Sequence, residues 1–585
     1  MQRIRPGVLH FDGKLGRFSQ ALLKRITRKN NYHNRKGATV AQHKERWGSR
    51  VGLVLAMAGN AVGLGNFLRF PAQAVQNGGG AFIIPYLVSF ILMGIPLLWI
   101  EWAIGRHGGR FGHHSAPGMM DKLGNQKWLK YAGVFGIFSN LTIAAYYCYL
   151  ESWTLGYVWH SLAGTFNGMA SGEVRDFFIQ YIGAEGSPLF NISGQALFFF
   201  FITFSLNLWI LSRGLSRGIE IASKIGMPLL ILFGIFLAIR ALTLNAGELN
   251  AINDAAMGLN FLWQPRFESL TDPKVWLAAA GQIFFTLSVG IGSIHCYAAY
   301  LQENDDVALN AVSAGFTNEF VEVLLGGSII IPIGVAYLGL DEVQRIVGLS
   351  MGFQTMPILF QNWGPLFAAL AGIAWFGLLF FAGITSSLAM GQPVMAFFQD
   401  EYGMNRQKSV RYFGGMLFLL TLPCVLFYSH GAFGEFDDWS GTFSLVAFAL
   451  LESLTFAWIF GMEKGWKEIT RSADIKVPHF YRFVIKFITP AFLLAVFCGS
   501  FISPLGGEWK SAFSQLLAGE GWPFDPRSII GKLFKLGVED TRYFVDGLPT
   551  SVFIIDMTRL LLLGTFIGIA LMVHQSWKKN RQPSA

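Results

Sequence analysis

The chain has 585 residues, of which 52% are hydrophobic and 14% charged, with a formal net charge of +9. Soluble globular chains carry charged residues at nearer a quarter of their composition, so this balance excludes an ordinary water-soluble protein and calls for lipid. The charge does not mark a nucleic-acid surface, because it gathers in one tail: Met1–Arg46 holds twelve Lys or Arg against Asp12 and Glu45.

By the positive-inside rule that tail, residues 1–46, lies in the cytoplasm, where it solvates anionic headgroups or sets topology. No cleavable leader is expected, since the first apolar block follows a long polar stretch. The first span starts near Val51 and is interrupted by Ala58-Gly59-Asn60-Ala61-Val62-Gly63-Leu64-Gly65-Asn66 before it resumes toward Arg69-Phe70-Pro71. Close helix packing accounts for Gly63 and Gly65 but not for Asn60, Asn66 and Arg69. A broken helix, with freed carbonyls facing a cation, accounts for all of them.

Blocks such as Phe82–Ala103, Ala196–Leu211, Ile225–Leu242 and Ser551–Val573 each approach the roughly 20 residues that span a bilayer as a helix, giving about twelve spans. His113 and His114 fall in a short polar loop and read as solvated surface. After Pro273 the segment Gln282-Ile283-Phe284-Phe285-Thr286-Leu287-Ser288-Val289-Gly290-Ile291-Gly292 is again polar and glycine-rich in mid-span. Two interrupted spans in corresponding places are the mark of an inverted repeat with a binding site between them. The expected fold is therefore an all-α polytopic membrane protein of about twelve transmembrane helices. It is built as a 5+5 inverted repeat whose first and sixth helices are broken. Its parts are the tail 1–46, the first repeat 47–245, the second repeat 246–462, and a remainder 463–585 with a long outer loop. An even count of spans returns the C-terminus, with Lys578, Lys579 and Arg581, to the cytoplasm. Cys148, Cys296, Cys424 and Cys498 read as small core residues rather than a disulfide or zinc framework. No HExxH pair, nucleophile elbow or phosphate loop suggests an enzyme.

The stretch Trp47–Pro71, with Gly78-Gly79-Gly80-Ala81-Phe82, Pro96-Leu97-Leu98-Trp99-Ile100-Glu101 and Thr385-Ser386-Ser387, resembles the neurotransmitter:sodium symporter family, and within it the bacterial leucine-transporting branch. The likeness runs from about His43 to about Ser500. It implies sodium-coupled, chloride-independent symport of a small apolar (aliphatic) amino acid across a bacterial inner membrane by alternating access. The alternatives are a sensor on the same fold and a proton-coupled amino-acid transporter. Sodium ions at two sites are the implied cofactors; the amino acid, sodium and membrane lipid are the implied partners, a homodimer is left open, and no nucleic acid is expected.

Residue by residue, the resemblance implies a first sodium site from Ala61, Asn66, Thr286 and Asn318 together with the substrate carboxylate. A second would use Gly59, Val62, Ala382, Thr385 and Ser386. These are hard, neutral oxygens suited to an alkali cation; hydroxyls such as Thr385 and Ser386 also commonly bond back to their own helix. Substrate would lie against Asn60, Ala61, Leu64, Gly65, Ile143, Tyr147, Phe285, Thr286, Ser288, Ile291, Ser386 and Met390. The leucine-transporting branch has Val, Phe and Ile where Ile143, Ile291 and Met390 stand. Arg69 would gate the outside with Asp437, Phe285 and Gln282, an alignment on Trp439-Ser440-Gly441-Thr442 choosing Asp437 over Asp438. Asp400 would gate the inside, with Lys44 where the family has Arg, or Arg46 in its place. Glu322 stands where chloride-dependent members carry a hydroxyl residue, so its carboxylate would replace chloride; the plainer reading is an interhelical hydrogen bond.

Overall fold

Hydrocarbon offers no water to an unpaired amide, so apolar blocks of this length must satisfy their backbone internally as helices. The computed structural model describes residues 45–184, 193–534 and 550–580. The chain divides into Met1–Glu45, of which only Glu45 is described, and a helical body, Arg46–Ala585; Lys44 thus lies outside the described residues.

In the body, α1a (Arg50–Ala61) and α1b (Gly65–Gln76) meet at a 46° bend. Then come α2 (Gly80–Arg110), α3 (Leu129–Leu162), α4 (Gly194–Ser212) and α5 (Leu215–Leu242). The second half begins with α6a (Pro273–Leu287) and α6b (Ser293–Ala298). It continues through α7 (Val307–Leu338), α8 (Pro365–Tyr402), α9 (Arg406–Leu426) and α10 (Ala432–Thr470), with α11 (Tyr481–Ile502) and α12 (Val552–Lys578) beyond. Among the described residues ten helices are long and apolar enough to cross a membrane, and the bent α1 pair makes an eleventh. The halves of α6, of 15 and 6 residues, are each too short to cross singly and are separated by an unwound segment. No β-strand occurs among the described residues, only one bridge between Pro504 and Phe524.

Counterparts of the two halves pack on each other: α3 runs along α8, and α2 along α7, while α5 rests on both α8 and α1a. On α5, Leu232, Ile235, Ile239 and Leu242 are exposed at helical spacing, a stripe that faces lipid. Cys498 of α11 is likewise exposed, unlike the other three cysteines, so its expected core position is corrected. The tightest staple is Arg106 of α2, fully buried: its Nε donates to Glu468 of α10 at 2.9 Å, and its other nitrogens donate to the carbonyls of Asp305 and Glu468.

One expectation about a loop changes. His113 and His114 are not freely solvated. His113 Nδ1 lies 3.1 Å from Glu401, and His114 donates its amide to Asp400 at 2.6 Å while its ring stacks on Tyr300. The loop before α3 is thereby drawn against the end of α8. In the segment after α11 the Leu505 and Asp525 amides donate to the Pro523 and Ser503 carbonyls, both at 2.8 Å. Burial pushes the Asp525 carboxyl up, but hydrogen bonds from Arg527 prevail and hold it below its usual range. Lys532 of this segment pairs with Asp438 of α10.

Candidate functional site

Both breaks have a local cause. At the first, Val62 turns to an extended ψ of 99° and leaves the helix. Gly63 donates its amide to Asn66 Oδ1 at 2.8 Å, and Leu64 donates to the Tyr147 hydroxyl at 3.0 Å. At the second, Ser288, Gly290 and Gly292 all have left-handed φ, of 53°, 74° and 93°. Glycine adopts this without a Cβ clash, whereas Ser288 pays strain and is held by donating to the Asn60 carbonyl at 2.9 Å. That bond ties the two breaks together. The Gly290 amide donates to Glu101 at 2.5 Å, and Asn140 donates to the Ile291 carbonyl at 2.7 Å.

Between the breaks lies a cavity of about 40 Å³. Ten of the twelve residues expected around a substrate line it: Asn60, Ala61, Gly65, Ile143, Tyr147, Phe285, Ser288, Ile291, Ser386 and Met390. Leu64 and Thr286 are buried beside it and do not line it. The lining also includes Tyr146, Gly441 and Leu445, which the sequence reading missed; Gly441 sits in a widened helical turn, Asp437–Ser444, that has no signature in residue type. No charged side chain lines the cavity.

The first expected cation set is met only in part: Asn66 turns its Oδ1 to the Gly63 amide and its amide nitrogen to Asn318 and the Thr286 hydroxyl, so the oxygens that come together are Asn318 Oδ1 and two backbone carbonyls. Asn318 Oδ1 accepts from Asn66 Nδ2 at 2.8 Å and stands 3.3 Å from the carbonyl oxygens of both Ala61 and Thr286. Turning the Asn318 amide would let it donate to those carbonyls, but would set two amide nitrogens 2.8 Å apart. Oxygens that crowd together without a hydrogen between them fit a hard cation. Around the second set, Ser386 Oγ faces the carbonyls of Gly59 at 3.3 Å and Val62 at 3.4 Å. Thr385 bonds back to Phe381 at 2.9 Å and Ala382 at 3.2 Å, the ordinary alternative for a helical hydroxyl. A Cβ on Gly59 would meet Thr385 at 2.9 Å, so this glycine is what lets α1a approach α8.

Glu322, fully buried in the widened turn Phe320–Gly326, accepts from Gln282 at 2.6 Å and from Asn66 at 3.3 Å. Gln282 therefore belongs to the Glu322 cluster and not to the outer gate where it was expected. Arg69 makes no ion pair with Asp437 in this structure. Its guanidinium lies 4.2 Å above the Phe285 ring, and Asp437 accepts from the Tyr146 hydroxyl at 2.7 Å. The neighbouring acid is spoken for as well, since Asp438 takes Lys532. On the other side Asp400 is held by His114, while Arg46 lines a separate cavity with Arg50, Asp305 and Asp474. The sequence reading also passed over Glu151, buried on α3, which accepts from Asn207 at 3.2 Å and from Ser387.

The family described as "Sodium:neurotransmitter symporter family" matches residues 44–174 and 165–522. An uncharacterized sodium-dependent transporter of Methanocaldococcus jannaschii is 30% identical over 467 residues, covering 77% of this chain and 89% of its own. One of Bacillus subtilis, also an uncharacterized sodium-dependent transporter, is 29% identical and covers 78% of this chain and 97% of its own. Among solved structures, MhsT in complex with L-phenylalanine superposes with a TM-score of 0.65 at 28% identity, covering 78% of this chain and 100% of that one.

Proposed function

The chain belongs to the sodium:neurotransmitter symporter family and is a sodium-dependent, multi-pass membrane transporter, and from that premise we propose that it carries a small apolar amino acid into a bacterial cell with sodium, by alternating access and without chloride. The carrying observation is the uncharged cavity between two broken helices, flanked by converging neutral oxygens. An amino acid placed there would set its carboxylate toward the Gly65 amide and the Tyr147 hydroxyl, and its ammonium toward the carbonyls of Ala61 and Phe285. A charged side chain would find no partner among Ile143, Ile291 and Met390 and would lose its hydration. The first sodium would be held by Ala61, Asn66, Thr286 and Asn318, the second by Gly59, Val62, Ala382, Thr385 and Ser386. Glu322 would supply the fixed negative charge that makes chloride unnecessary.

For closure, Phe285 with Arg69 above it would form the outer lid, and Asp400 the inner contact, with Lys44 as its proposed cation. The basic tail and Lys578, Lys579 and Arg581 place both termini in the cytoplasm under this reading. The similarity to a transporter solved with L-phenylalanine supports an apolar amino acid; the small cavity and Ile291 favour Leu, Ile, Val, Met or Ala over Trp and Tyr. The test is binding of radiolabelled leucine to purified protein in sodium against potassium buffer, with unlabelled competitors. Sodium-dependent binding displaced by aliphatic amino acids is expected. Binding without sodium dependence would overturn the ion sites and favour a proton-coupled transporter or a sensor.

A further inference from the structure

The break in α6 is braced by a buried group of ionisable residues that the transport reading leaves unused. Glu101 of α2, His295 of α6b and Glu452 of α10 meet in the interior, none more than 1% exposed. His295 Nδ1 stands 3.5 Å from Glu101, and its Nε2 3.3 Å from Glu452. The imidazole thus bridges two carboxylates through its opposite nitrogens. The second oxygen of Glu101 is the acceptor for the Gly290 amide in the unwound segment, so the group is joined to the backbone between Ser288 and Ile291, both of which line the cavity.

With both carboxylates ionised and the imidazole neutral, the group would carry two negative charges in the middle of the protein. Among the described residues no Lys or Arg pairs with either carboxylate. On α2, Arg106 and Arg110 turn to Glu468 instead. From α3, Asn140 donates to the carbonyls of Gly136 and Ile291. On α10 the Phe448 ring packs against His295 at 5.8 Å, and on α6b the flanking titratable groups are Cys296 and Tyr297, both buried. Both nitrogens of His295, both oxygens of Glu452 and one of Glu101 make no ordinary hydrogen bond. Two buried negative charges without a counterion cost several kcal/mol each, so protons must fill these gaps. One proton on each carboxyl with the imidazole neutral makes the group neutral, one ring nitrogen donating its hydrogen to one carboxyl and the other accepting from the second.

We propose that Glu101, His295 and Glu452 form a proton-binding site that fastens α2, α6b and α10 around the α6 break, and that loss of a proton from it frees the break to move. A metal ion is the competing occupant, since one ligand atom from each residue lies within 4.8 Å of the others. The bridging imidazole argues against it, because a metal takes one nitrogen of a histidine and leaves the other for an outer partner. Loss of one proton leaves a net negative charge without a counterion where the three helices meet, so transport is slow in acid and faster in alkali.

This inference rests on the transport reading, and the experiment separates the two. Sodium-dependent leucine uptake is measured in proteoliposomes with the same pH on both sides. Wild type is expected to rise about fivefold between roughly pH 6 and pH 8.5, and His295→Gln to change by less than about 1.5-fold. Leucine binding at one fixed pH should stay within about twofold in His295→Gln, because His295 does not line the cavity. Independently of activity, infrared spectra of the purified protein should show a buried protonated carboxyl that weakens in Glu452→Gln. A wild-type profile that is flat, a profile unchanged by His295→Gln, or no protonated carboxyl lost in Glu452→Gln overturns the proposal. So does a divalent metal that copurifies through chelator treatment and is lost in His295→Gln. Absence of sodium-dependent binding in wild type overturns the transport reading, and the infrared measurement then decides the proton site alone.

Discussion

At the scale of single residues, the proposed cation sites would depend on oxygens that the backbone alone does not supply. Asn318 is the side chain that closes the first set, 3.3 Å from the Ala61 and Thr286 carbonyls. Asn318→Ala is expected to raise the sodium concentration needed for half-maximal leucine binding by about tenfold, roughly 1.4 kcal/mol, with the fold intact by size-exclusion profile; an unchanged sodium requirement would remove Asn318 from the site. Most such residues were legible because polar side chains inside apolar runs stand out, as Asn60, Asn66, Thr286 and Ser288 do. What could not be read is which partner each would choose. Gln282 sits on the same helix as Phe285 but turns to Glu322, and Arg69 meets an aromatic face where an acid was expected. Pairing of this kind is set by side-chain direction across helices, which spacing along one helix does not contain.

At the scale of helices, the breaks themselves were visible in sequence, since three left-handed positions in α6 require the Ser-Val-Gly-Ile-Gly pattern they occupy. The widened turns were not. Those at Phe320–Gly326 and Asp437–Ser444 rotate Glu322 toward Asn66 and bring Gly441 to the cavity, yet their residues would serve equally in an ordinary helix. Helix ends are fixed by a different device. Arg106 is fully buried and its one carboxylate partner is Glu468, at the far end of α10. Glu468→Gln removes that counterion, and an unpaired buried guanidinium is worth about 3–5 kcal/mol of destabilisation. The expected outcome is a melting temperature in detergent several degrees lower, with loss of monodispersity; a melting curve like wild type would show that Arg106 finds its compensation in the Asp305 and Glu468 carbonyls.

At the scale of the whole molecule, the built-in carboxylate at Glu322 predicts that replacing chloride by gluconate leaves uptake within about twofold of its starting rate, whereas replacing sodium by potassium abolishes it. A neutral substrate moving with two sodium ions would carry two charges, each worth about 2.3 kcal/mol per 100 mV; an inside-negative potential should therefore raise accumulation steeply. In the proposed orientation, access from outside would pass a cavity of about 230 Å³ lined by Arg69, Phe285 and Thr442, next to a second cavity of similar volume walled by Asp438, Asp525 and Lys532. Asp438→Asn should release Lys532 and speed both association and dissociation of leucine severalfold with little change in Kd, as read by rapid-filtration kinetics. Unchanged rates would show that the segment after α11 does not restrict entry. The overall plan of two broken helices in a twofold-repeated bundle was legible from the apolar blocks; the segment walling the second cavity was not, because its residues, from Gly506 onward, have the composition of any outer loop.

The cysteines bear on how such motions can be watched. Three of the four are enclosed by packed side chains and the fourth, Cys498, is exposed on α11, a helix long and apolar enough to cross a membrane. A polar thiol-reactive dye added from water would find almost nothing to label in the natural sequence. Single cysteines placed at Ser514 and, at the start of α9, at Gln407, both on exposed surface, would then give a two-colour distance ruler without first stripping the protein of its own thiols.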